Sequence, residues 1–266
     1  MKTSIKTLLA ALALTMASGL TALPALAAGG EELPPPKQNW TFGGPFGTYD
    51  RAELQRGYQV YKEVCAACHA MKFVAFRNLA DPGSPGFTAA EVKALAATFQ
   101  VTDGPNDSGE MFQRPGLPQD KFPSPFPNEK AARAANGGAY PVDLSLVAKS
   151  RGHGETGGPD YIRALLTGYA EPPAGFQLGE GLHFNKYFPG QQIAMPNPLN
   201  PDQVTFADGT KATVEQMAHD VSAFLMWAAE PKLEDRKRLG FKVMIFLVIL
   251  TGLFIAAKKR VWASVK

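Results

Sequence analysis

The chain has only two cysteines, and they stand three positions apart in Cys65-Ala66-Ala67-Cys68-His69. A disulfide between them would close a tiny loop, so the pair is a poor structural staple and a better candidate for chemistry. Cys-x-x-Cys-His is the attachment sequence for c-type haem. The spacing has a physical reason. Two thiols one helical turn apart can add to the two vinyl groups of one porphyrin, and the adjacent His69 can then swing beneath the ring and ligate the iron. Two other readings of Cys-x-x-Cys compete with this one. A thioredoxin-like pair follows a strand in a βαβ unit, whereas this motif ends an amphipathic helix in which Leu54, Tyr58, Tyr61 and Val64 recur at helical steps. A structural zinc site wants a second pair of ligands, and the sequence has no other cysteine. One covalently bound haem c per chain is the expectation.

Two apolar runs address and anchor the chain. Residues 1–27 read as a secretory signal, with Lys2 and Lys6 at the start, an apolar run from Leu8 to Leu20, and cleavage expected after Ala27 in Ala25-Leu26-Ala27. At the other end, residues 239–257 carry a single charge, Lys242, and at 1.5 Å per residue span about 30 Å, the thickness of a bilayer core. Basic residues flank both ends of that run, so the positive-inside rule is nearly silent and the signal sets the orientation. The expected protein is a single-pass resident of a bacterial inner membrane, with residues 28–238 in the periplasm and the tail 258–266 in the cytoplasm.

The formal charge of +3 therefore describes no working surface. Residues 28–238 hold 20 of the 27 basic residues and all 24 acidic ones, a net charge of −4. An acidic globule beside a basic stalk favours cationic partners and disfavours nucleic acid. Within that body, 26 glycines and 22 prolines in the whole sequence point to shaped loops between short elements.

Residues 28–47 read as an arm without regular structure, broken by Pro34-Pro35-Pro36 and Gly43-Gly44-Pro45. A helix starts at Asp50, with Glu53 completing a capping box, and runs to the motif. Further helices are expected at Thr88–Thr98, from about Glu129, at Asp160–Thr167, and from Thr213, whose capping partner is Gln216. A short hairpin is expected over Val204–Ala212, turning at Asp208-Gly209.

A sixth iron ligand has several candidates: Met71, Met111, Met195, Met217, Met226, His153, His183 and His219. Met71 is too near the motif to reach the opposite haem face, and Met217 and Met226 fall in a helix where a core role is simpler. Position favours Met195, in the proline-stiffened loop Gln192-Ile193-Ala194-Met195-Pro196, with a histidine ligand or a core role for Met195 still open. Ligation by His and Met would keep the potential high and leave no open position for oxygen, which points to electron transfer.

Six segments in order resemble the cytochrome c1 family: RGYQVYKEVCAACH (56–69), DGPNDSGEMFQRPG (103–116), NEKAARAANGGAYPVDLS (128–145), DYIRALLTGYAEPP (160–173), FNKYFPGQQIAMP (184–196) and DVSAFLMWAAEPKLEDRKRLG (220–240). The resemblance implies a mainly α, class I c-type cytochrome fold with long loop insertions and one C-terminal transmembrane helix. It implies Met195 as the second axial ligand beside His69, a haem propionate contact for Arg151, and a haem pocket lined by Tyr161 and Asn136. It also implies partners: cytochrome b and the Rieske iron–sulfur protein in a dimeric quinol-oxidising complex, and a soluble or tethered c-type cytochrome as acceptor. One departure stands out. The family's Pro-Pro-Asp-Leu-Ser is Pro141-Val142-Asp143-Leu144-Ser145 here, which leaves haem packing by the second proline in doubt.

Overall fold

A computed structural model of the chain describes residues 33–152 and 157–264. The expected leader at residues 1–27, its cleavage point and His153 lie outside the described residues. Helix α1 (Arg51–Glu63) begins where the Asp50 carboxylate accepts the backbone N–H groups of Ala52 and Glu53. The expected capping box is only half made. Glu53 turns inward, its carboxylate beside the Thr41 hydroxyl and the His219 ring, so the return bond to the helix start is not formed.

Helix α2 (Ala89–Ala97) has the full reciprocal box between Thr88 and Glu91. After it come an antiparallel hairpin, β1 (Gln100–Asp103) with β2 (Phe112–Pro115), then α3 (Glu129–Ala135), α4 (Val147–Ser150) and α5 (Gly158–Thr167). The hairpin was not legible as a periodic pattern, because both strands are four residues long and largely exposed. It is fastened by Arg114, whose guanidinium bonds Asp103 on the facing strand and Asp120 beyond it. Asp103 is thus engaged, while Asp107 and Glu110, in the loop that joins the two strands, are exposed.

Strands β3 (His183–Phe184) and β4 (Gln192–Ile193) pair in register His183↔Ile193, ahead of α6 (Val214–Ala229) and α7 (Leu233–Trp262). The hairpin expected at Val204–Ala212 does not form. Val204, Phe206 and Ala212 are buried, as the alternation required, yet the segment is a loop closed by a single bond from Asp202 N–H to the Ala212 carbonyl. Its Thr205 carbonyl is bonded by the Gln59 side chain instead of a facing strand.

The core is organised by the crossing of α1 and α6 at Gly57. A Cβ there would lie 2.1 Å from the Asp220 carbonyl oxygen and 2.7 Å from Phe224 Cβ, so only glycine permits the approach. Around the crossing, Tyr58 meets Phe224 edge-on at 5.6 Å and Tyr61 stacks on Phe122 at 5.8 Å. Each fully buried Leu or Phe of this cluster contributes about 1.5–3 kcal/mol of transfer free energy. The fold is mainly helical, as expected, and its last helix is long and apolar enough to cross a membrane. Among the described residues, no part of the most apolar stretch of that helix is buried in the rest of the protein.

Candidate haem site

The carboxyl end of α1 carries the motif directly to the core. Val64 closes the helix, Cys65–Ala67 forms one 3₁₀ turn, and the N–H groups of Cys68 and His69 both bond back to the Cys65 carbonyl. Cys65 is partly buried against the hydrophobic core and Cys68 is exposed, and the two do not form a disulfide. Burial pushes the Cys65 thiol up to about 12, with Cys68 adding to the shift. A thiol oxidoreductase needs the opposite, a nucleophile stabilised as thiolate.

His69 is half-buried, and its Nδ1 lies 2.7 Å from the Val142 carbonyl oxygen. A carbonyl only accepts, so Nδ1 carries the ring proton and Nε2 keeps its lone pair. Burial holds the imidazole below the usual histidine value, against the opposing pull of the Val142 bond and Asp143, and so keeps it neutral. The segment that supplies the carbonyl is sewn to the motif's exit. Leu144 N–H bonds the Ala70 carbonyl at 2.8 Å, Lys72 N–H bonds the Asp143 carboxylate, and Phe73 N–H bonds the Ser145 hydroxyl. Valine in place of the family's second proline leaves this contact intact, since the acceptor belongs to the backbone.

Met195 sits just past β4, partly buried and packed against the core cluster. Its carbonyl accepts the Tyr169 hydroxyl at 3.0 Å. The loop before it is clamped to the end of α5. Asn185, fully buried, donates to the Leu165 carbonyl at 2.8 Å, and Lys186 N–H bonds the Gly168 carbonyl at 3.0 Å. Gly168 admits that approach, because a Cβ there would stand 2.6 Å from the Tyr187 ring and 3.0 Å from Asn185 Oδ1. Four of the described rivals are engaged elsewhere, while Met111 and His183 are exposed. Met71 and Met217 are fully buried in the core, Met226 packs at its edge, and His219 is ion-paired to Glu53 at 2.9 Å.

The remaining expected residues are spread around this frame. Arg151 is exposed at the carboxyl cap of α4, Tyr161 is half-buried against the core, and Asn136 caps α3 by donating from its side chain to the Ala132 carbonyl at 2.7 Å. Sequence reasoning missed Tyr169 and the Asp143–Ser145 staples. All three lie in segments quoted for the family resemblance, which is the signal that would have found them. Two thiols at the right spacing and a neutral imidazole with one nitrogen already committed make a donor set that fits a covalently held haem.

A helical body with, among the described residues, one helix long and apolar enough to span a membrane, and a Cys-x-x-Cys-His turn feeding a buttressed imidazole, has the make-up of a membrane-anchored c-type cytochrome. The family model described as Cytochrome C1 family matches residues 40–265. The chain belongs to the cytochrome c1 family. It is 50% identical over 246 residues to the cytochrome c1 of Rhodospirillum rubrum, covering 86% of this chain and 88% of that one. It is 49% identical over 243 residues to a mitochondrial protein of Candida albicans named cytochrome b-c1 complex catalytic subunit, covering 91% and 82% of the two chains. It is also 54% identical over 245 residues to the Bradyrhizobium diazoefficiens protein named cytochrome b/c1, where the match covers 86% of this chain and only 36% of that longer relative.

Proposed function

We propose that this chain is the electron-transfer subunit of a quinol:cytochrome c oxidoreductase, acting in respiratory or photosynthetic electron transport. Cys65 and Cys68 hold one haem c through thioethers, and His69 and Met195 ligate its iron. The observation that carries the reading is the 2.7 Å bond from His69 Nδ1 to the Val142 carbonyl, which leaves Nε2 as the free donor. A haem held by Cys65, Cys68, His69 and Met195 would supply a one-electron couple there.

The chain's own residues orient and shield. Val142 fixes the imidazole tautomer, Tyr169 fixes the backbone of Met195, and the core packed against Cys65, Tyr161 and Met195 excludes water. Arg151 pairs with a propionate, Tyr161 lines the pocket, and Asn136 supports it through the end of α3. The electron arrives from a Rieske iron–sulfur protein and leaves for a soluble or tethered c-type cytochrome. Cytochrome b, the site of quinol oxidation, is the membrane partner in a dimeric complex. The names of the Candida and Bradyrhizobium relatives support that assembly. The acidic body, at −4, suits a cationic partner rather than nucleic acid. Removal of residues 1–27 on export leaves residues 28–238 in the periplasm, 239–257 in the inner membrane and 258–266 in the cytoplasm.

Detergent-purified protein is expected to retain an in-gel haem stain under denaturing conditions, to give a c-type reduced-minus-oxidised spectrum, and to be reduced by reduced Rieske protein. Absence of covalent haem, with Cys65 and Cys68 titrating as free thiols, would falsify the cofactor assignment. Covalent haem that the Rieske protein cannot reduce would sink the assignment of the donor.

A further inference from the structure

We propose that the turn Gly43–Gly47 is a second membrane contact, with Phe46 seated in the lipid interface beside the anchor helix. Phe46 is 75% exposed at the tip of this turn, whose base is fixed to the body. Phe42 is buried between Trp40 and Tyr49, and Thr48 N–H bonds the Thr41 carbonyl at 3.1 Å. Gly47 has no room for a side chain, since a Cβ there would lie 2.0 Å from the Gly43 carbonyl oxygen. The tip therefore projects as a shaped element.

Its direction is set by the start of α7. Lys237 Nζ donates to the Phe42 and Gly47 carbonyls at 2.6 and 3.1 Å, one on each side of the tip. Glu234 takes the Arg51 guanidinium and the Tyr49 N–H at 2.8 and 3.0 Å, holding the same turn of helix to α1. Phe46 then meets Phe241 edge-on with ring centroids 5.9 Å apart. Phe241 is the third residue of the apolar run and is itself 55% exposed. From Phe241 to Trp262 the helix rises about 31 Å at 1.5 Å per residue, so the two aromatics stand near opposite faces of a bilayer core. Phe46 shares the depth of Phe241, where a purely apolar ring can bury at the boundary between headgroups and acyl chains. Continuity with the anchor selects lipid as the occupant. Two contacts a fixed distance apart would hold the body at one tilt to the membrane, which a single helix does not.

The test is cysteine accessibility in the full-length protein reconstituted in phosphatidylcholine–phosphatidylglycerol vesicles, read as labelling by a charged maleimide. Phe46→Cys is compared with Ser108→Cys, which lies in an exposed polar loop on the same body, and the unsubstituted chain gives the background. Haem absorbance reports folding of each variant. A several-fold loss of labelling at position 46 relative to 108, present without any partner subunit, supports the lipid contact. Equal labelling at both positions in vesicles and in the complex overturns it. Protection at 46 that appears only when cytochrome b is present also overturns it and assigns the surface to that subunit.

Discussion

His69 and Val142, 73 positions apart, are joined by a hydrogen bond of 2.7 Å between a ring nitrogen and a backbone carbonyl. The bond explains how a valine can stand in a proline position without disturbing the site, because the group that orients the imidazole is common to every residue type. The side chains that matter are the neighbours that hold the carbonyl in place. Val142→Ala should therefore leave the redox potential and haem content unchanged. Asp143→Ala removes the acceptor of the Lys72 and Ser145 N–H groups and should cost about 1–2 kcal/mol, with a lowered and broadened potential. Urea unfolding and redox titration of the two variants check the contrast.

Met195→Leu should keep the haem covalently attached, since neither thiol is touched. The potential should fall by on the order of 0.1 V or more, within the range of roughly 0.8 V that axial ligands command. A spectroelectrochemical titration measures it, and an unchanged potential would reject Met195 as the ligand.

Gly57→Ala places a methyl group 2.1 Å from the Asp220 carbonyl oxygen at the crossing of two packed helices. Neither backbone can withdraw without opening the aromatic core, so the loss of stability should reach about 3 kcal/mol or more. Guanidinium denaturation followed by haem absorbance checks it, and a loss under 1 kcal/mol would mean, to the order of such repacking effects, that the crossing is pliable.

His219 is raised to about 9 by Asp220 and by Glu53, the latter being the nearer carboxylate at 2.9 Å against 3.8 Å. The folded value exceeds the unfolded one near 6.5, so this pairing is fully stabilising below about pH 6.5 and is lost as pH rises through about 9. With the ring partly exposed, the loss should be about 1–2 kcal/mol. Urea melts at pH 6 and pH 10 should show that difference in the parent chain and lose it in His219→Gln.

Much of the body was legible because local signals were strong. Asp50, Thr88 and Thr213 each cap the helix they introduce, and the anchor announces itself by length and polarity. Where the reading failed, a competing partner had won. Glu53 left its capping role for His219, the Gln216 side chain goes to Asp220 while only its N–H caps on Thr213, and the Thr205 carbonyl went to Gln59 instead of a facing strand. Such partners lie far away in sequence, and periodicity carries no trace of them.

The sequence by itself determined the candidate donors and the apolar run: two cysteines and a histidine in one turn, a methionine in a stiff loop, and nineteen residues able to span lipid. These are matters of residue identity and spacing along one segment. Only the tertiary structure decided which nitrogen of His69 stays free, which hydroxyl steadies Met195, and where Phe46 lies relative to Phe241. Each of those depends on groups brought together by the packing of α1 against α6 and of the loops around them, a geometry fixed by burial and close approach rather than by local sequence.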